Sequence, residues 1–391
     1  MSTIEKIYFW GLALLFLLCL LDPLGKGFAF GYLLAIGILV NPSTYFRYID
    51  KSALLLGAAT IAYALFYSLT PQKGTQFILI YALFPVSFYL YARYLATKKY
   101  KEWLLYAFFF TFFIFSLIPL VTVLENIRTG GYLQLERNLP LLGTGIIVSA
   151  TKMGSFFTMH MCIPAVILIY RFHIKKWMLF LLIGLYVLSL LCILRIGSRT
   201  QLLITAITIF IALGYIFPKI KSSQRIGIIG FLGVIIAVII TQINFSMDAT
   251  WMTAFSDRME GSTNDMYTAG SRTERWSRSF EYLFSHPFGW SVDEFGFSHN
   301  LWLDVLREGG VICFFLLVIY SLASLKNIYN FLIKKNIDFR FRALLAIYLS
   351  GFYLVFMVEP IFEGMFTFFS LSCFVQGIVN TYQKNEEFNR N

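Results

Sequence analysis

The residues best suited to chemistry are gathered in one polar stretch. Between positions 244 and 308 every basic residue is an arginine: Arg258, Arg272, Arg275, Arg278 and Arg307. A guanidinium never loses its charge and meets phosphate or carboxylate oxygens with a two-pronged fork, whereas lysine offers a hydrated point charge. The same stretch holds His286 and His299, two of the four histidines in the chain. An imidazole near neutral pH can take a proton from a hydroxyl.

Spacing sharpens some of these assignments and leaves others open. Arg272, Arg275 and Arg278 recur at i, i+3 and i+6, a stripe on a helix that would suit a diphosphate. The same residues also fit a solvated helix in which Arg278 pairs with Glu274 and Glu281. His299 stands beside Asn300 just before an apolar run, with the carboxylates Asp304 and Glu308 following; a proton acceptor and a helix cap both fit that position. Glu308 and Asp304 are next in line for the role of base. His286, in Ser-His-Pro-Phe-Gly, reads as a turn residue, while His160 and His173 fall in a helix and in a loop on the opposite side. Arg195 and Arg199, in LRIGSRTQLL, lie at an outer helix junction near membrane depth. There an arginine either serves a polar cavity or snorkels to headgroups.

The elements that must position these groups are membrane helices. The 391 residues are 58% hydrophobic and only 14% charged, and apolar runs near the length needed to cross a hydrocarbon core recur throughout. The reading is an all-α polytopic integral membrane protein of about twelve helices. They are expected at 7–21, 28–40, 53–70, 76–95, 103–123, 149–170, 177–194, 201–217, 226–243, 309–325, 341–358 and 364–382. This divides the chain into spans one to nine (1–243), a large external loop (244–308) that is expected to fold as short helices over a cavity, and three further spans with a tail (309–391). The formal charge of +11 does not imply nucleic acid, because most lysines and arginines fall in short loops on the side that also holds both termini. That side is cytoplasmic by the positive-inside rule, so the arginine-rich loop faces outward. All five cysteines lie in apolar runs, and neither a CxxC motif nor a His/Cys cluster suggests a disulfide or a metal site. The 124–148 segment, with Gly-Gly and Pro, fits either a gating flap or a plain surface connection.

The order of motifs resembles the O-antigen ligase and O-antigen polymerase superfamily. Those motifs are Ser198-Arg199, Gly270-Ser271-Arg272 with Trp276, Pro287-Phe288-Gly289, His299-Asn300 and Glu308-Gly309-Gly310. They span Ser198 to Gly310. Two positions depart from the pattern: Trp290-Ser291 follows the turn where a second glycine is usual, and Cys313 stands where a small residue or tyrosine is usual. The resemblance implies a metal-independent, inverting glycosyltransferase without a cofactor, working at the periplasmic face of the bacterial inner membrane. Its donor would be a glycan on undecaprenyl diphosphate, and its acceptor either lipid A–core (ligase) or the next lipid-linked repeat unit (polymerase). The ligase reading is preferred, because the Ser-Arg, Gly-Ser-Arg and His-Asn order resembles the ligase domain most directly. On this reading Arg199 and Arg272 grip the diphosphate with Arg275 and Arg195 assisting, and His299, or else Glu308, is the base. A flippase for the same lipid-linked glycan is the alternative of another class.

Overall fold

A computed structural model describes residues 3–71, 74–97, 101–131, 136–221, 225 and 272–388. Within them the chain is helical nearly throughout; the one sheet is a two-stranded antiparallel pair, Leu139–Pro140 with Ile147–Val148. Seven described helices are long and apolar enough to cross a membrane, from Lys51–Leu69 to Phe339–Val358. Gly27–Val40 and Pro42–Tyr48 form a further, sharply bent pair at 86°. Every expected span coincides with helix except 226–243, which lies outside the described residues together with the 244–271 part of the external loop. Helices satisfy their own backbone polar groups, which is what a bilayer core demands.

The helix ends follow from local chemistry. Asp50 accepts from Ala53 N (2.9 Å) and starts Lys51–Leu69, and Ser149 accepts from Lys152 N (3.4 Å) to start Ala150–Phe156. Three expectations of extent were wrong. The single span expected at 149–170 is instead three pieces, Ala150–Phe156, Thr158–Met161 and Ile163–Tyr170, the last with a proline in its first turn. The span expected at 103–123 runs on as Lys101–Arg128, its last turn closed by the Glu125–Arg128 pair. The span expected at 309–325 is Leu301–Ile333, because Asn300 caps it well before the glycines.

The core is aromatic. Gln76–Thr97 and Phe366–Phe388 pack so closely that a Cβ on Gly377 would overlap the Tyr89 carbonyl oxygen. Phe16 stacks on Phe374 with ring centroids 4.7 Å apart and meets Phe88 edge-on at 5.0 Å. Outward, Phe180, Leu181, Val187 and Leu188 of the Lys176–Ile196 helix are exposed, as lipid-facing side chains should be. Away from the polar stretch, a buried Arg93–Asp50 pair (2.5 Å) is completed by Tyr48 O and Tyr89 OH. It ties the start of one span to the end of another.

Candidate active site

His299 is held in a backbone conformation that a histidine rarely adopts. Its φ is +53°, the left-handed region, at a cost of about 1–2 kcal/mol for a residue with a Cβ. The carboxylate of Asp304, 1% exposed, holds the turn from below: Oδ1 accepts from Ser298 N (2.7 Å) and Oδ2 from Asn300 N (3.1 Å). Asn300 then caps the following helix at Trp302 N and Leu303 N, and its Nδ2 reaches Met357 O at 3.4 Å. So Asp304 supports the histidine turn, with both oxygens engaged by backbone amides. Asn300 is the cap, and His299 is left to project from the turn. Strain concentrated at one polar side chain is a mark of function.

The Arg272–Ser285 helix is docked on this turn along one face. Trp276 Nε1 donates to Ser298 O (2.8 Å), Arg275 Nη1 donates to Phe297 O (3.0 Å), and the Ser279 and Ser298 hydroxyls share a hydrogen bond at 2.8 Å. Positions at i, i+3 and i+6 drift about 120° around a helix. Arg278 therefore turns away and pairs with Glu274 at 2.6 Å, as the solvated alternative expected. Arg272 stays on the docked side, its Nη2 3.9 Å from Glu359 Oε1. His299 Nδ1 lies 3.8 Å from Glu359 Oε2. One carboxylate, with its side chain 4% exposed, thus stands between the foremost cation and the candidate base, which are 23% and 26% exposed.

The glycine motifs build the floor. Gly310 has φ +70° and ψ −174° inside the Leu301–Ile333 helix and breaks it. The 287–290 turn fills the break: Val311 N donates to Pro287 O and Trp290 N to Arg307 O, each at 2.9 Å. A Cβ at Gly310 would overlap the Pro287 carbonyl, and one at Gly289 the Arg307 carbonyl. Only glycine readily adopts the Gly310 conformation, so Gly310→Ala is expected to cost about 1–3 kcal/mol in strain before the overlap is counted. A thermal melt in detergent should show it, with Gly11→Ala as the control, since a Cβ there meets nothing within 4 Å.

Beside this floor lies a charged cluster. Arg307, over the Phe297 ring at 5.5 Å, pairs with Glu363 and stands 3.8 Å from Glu308, which accepts from Tyr63 OH at 2.7 Å. Burial pushes the Glu363 carboxyl above its ordinary range; Arg307 pulls it down, and the Glu308 and Asp304 carboxylates push it up again. Glu308 is thus placed with Tyr63 and Arg307, and its contacts are not with His299. Glu363 also lines a cavity of about 320 Å³ with Asp22, Lys152, Leu141 and a wall of phenylalanines including Phe84 and Phe115.

Arg195 and Arg199 belong to a different junction. Arg195 is buried, donating to Asn126 Oδ1 (2.8 Å) and Glu136 O (2.9 Å). Arg137 caps the same helix end at Ile196 O and Gly197 O. The described part of the 124–148 segment is therefore fastened to the helix ends, and Leu142 N is bonded to Thr122 as well. Arg199 opens the Arg199–Ile216 helix and is partly exposed. Arg258, Gly270 and Ser271 lie outside the described residues.

Reading the sequence missed Glu359, Glu363 and Tyr63. Two acids in the short link Glu359-Pro-Ile-Phe-Glu363 between apolar runs were a signal, since a carboxylate at membrane depth needs a partner.

The family model for O-antigen polysaccharide polymerase Wzy matches residues 85–250, somewhat under half of the chain. No curated protein matches the chain. The matched region contains Arg195 and Arg199 and ends before Arg272 and His299, so the docked helix and histidine turn add to the match rather than repeat it. Together with the helical membrane architecture, the match supports a relationship to the superfamily of membrane glycosyltransferases that joins O-antigen ligases and polymerases.

Proposed function

We propose that the protein is a polymerase of lipid-linked oligosaccharide repeat units, acting at the periplasmic face of the inner membrane with both termini in the cytoplasm. The observation that carries the chemistry is the placement of Arg272 and His299 on either side of Glu359. The polymerase family match favours this reading over the ligase, which remains the second reading. The donor is a glycan on undecaprenyl diphosphate. Arg272 stabilises the departing diphosphate as the anomeric C–O bond breaks, while the donors of Arg195 and Arg275 serve the fold at Asn126, the Glu136 carbonyl and the Phe297 carbonyl. His299 takes the proton from the attacking acceptor hydroxyl, a new glycosidic bond forms with inversion, and the polyprenyl diphosphate leaves with the electron pair. Fixed arginines supply the charge stabilisation that this step needs, and the reading calls for no metal ion. The cavity lined by Asp22, Lys152 and Glu363 offers the acceptor end a space with polar and aromatic walls. A flippase fits less well, because the arginines concentrate on one side of the membrane in this reading and alternating access would call for them along a central path.

A deletion strain tests the assignment. Loss of the polymerase should leave lipid A–core bearing a single repeat unit on a gel of extracted lipopolysaccharide. Bare core with long glycan stranded on its lipid carrier would instead identify a ligase.

A further inference from the structure

Glu359 is the residue that the mechanism above has not used. It is buried, follows the last residue of the Phe339–Val358 helix, and is extended (φ −137°, ψ 149°) before Pro360, which limits its backbone freedom. The Asn300 bond to Met357 O ties the histidine turn to the same helix end two residues earlier. Neither Glu359 Oε2 nor His299 Nδ1 has a hydrogen-bond partner among the described residues, although both are buried atoms 3.8 Å apart. A buried carboxylate oxygen without a donor is costly to keep and has to be explained.

We infer that Glu359 is a positioning residue for the transfer reaction, holding His299 with Nδ1 protonated so that Nε2 faces the acceptor hydroxyl, and holding Arg272 at the diphosphate. One carboxylate does both, through Oε2 and Oε1 respectively. An imidazole whose Nδ1–H points at a carboxylate is fixed in tautomer and ring orientation, and the imidazolium formed during proton transfer is stabilised. The gap of 3.8 Å closes to a hydrogen bond when substrate fills the site, as catalytic contacts in unliganded enzymes commonly do. This role rests on the transferase reading, and the test separates the two.

Glycan transfer is measured in proteoliposomes with lipid-linked repeat units for the wild type, Glu359→Gln, His299→Ala and the double variant, with a thermal melt of each to show folding. Glutamine keeps the shape and removes the charge. The expected result is a fall of kcat by about tenfold or more in Glu359→Gln, and a clearly smaller fall when it is added to His299→Ala, where only the part that acts through Arg272 is left to lose. Full rate in Glu359→Gln with His299→Ala inactive would overturn the positioning role alone. So would equal, multiplying losses in both backgrounds. Full rate in His299→Ala would overturn the histidine as base and this positioning role with it, whereas no transfer by the wild type would overturn the transferase reading itself. If Glu359→Gln fails to fold, Glu359→Asp, which keeps the charge one methylene further back, should fold and recover part of the rate; a fully active Glu359→Asp and Glu359→Ala pair would overturn the proposal.

Discussion

Arg272→Lys is expected to reduce glycan transfer by about 10²-fold, although it preserves the charge. Lysine cannot span two phosphate oxygens in a plane, and its compact ammonium would be drawn toward Glu359, which already faces Arg272 across 3.9 Å. On the proposed mechanism the loss should appear mainly in kcat, because the second phosphate contact would strengthen as negative charge develops on the leaving diphosphate. Arg278→Lys is the control. Its partner is the exposed Glu274, and an exposed pair contributes little to stability or rate. Equal losses at both positions in reconstituted membranes would mean that the helix needs arginine for its fold and not for its ligand.

His299→Ala is expected to lower the rate further, by about 10²–10⁴-fold, the range set by loss of a positioned general base. The folded state should not suffer in proportion. The turn is held by Asp304 through the amides of Ser298 and Asn300, and neither bond uses the imidazole. Alanine still carries a Cβ at φ +53°, so it neither relieves nor adds backbone strain. His299→Gly would relieve that strain, and should be as inactive as alanine yet melt higher. An alanine variant with wild-type rate would pass the base to Glu308 or Glu363, which share a buried cluster with Arg307.

How much of this was legible depends on whether a residue's role is local. The described membrane helices were, because crossing a bilayer needs an apolar run that can be read in one dimension. The Arg278–Glu274 pair was also legible, as its residues lie four positions apart, whereas the cap that His299 could have supplied is made by Asn300, one residue on. Arg272 and His299 could be picked out by type, but the carboxylate between them comes from a helix end some sixty residues later in the chain, and nothing in the sequence gives that distance. Arg195 shows the reverse. It looked like a ligand-binding cation by depth, and the structure gives its donors to Asn126 and the Glu136 carbonyl, partners distant in sequence. The long helix beginning at Leu301 was expected to start at Gly309, with the apolar run that follows the double glycine. The double glycine instead marks a break that another segment fills.

That break changes what kind of object the outer segment is. Where the helix is interrupted at Gly310, the 287–290 turn supplies an acceptor to Val311 and takes one from Arg307. The turn is spliced into the span, and lifting it would strip two amides of their partners beside an apolar wall. Swinging this segment away as a lid would therefore cost both hydrogen bonds, and the proposed lipid-linked substrate is expected to reach the histidine from the side instead, along the membrane plane.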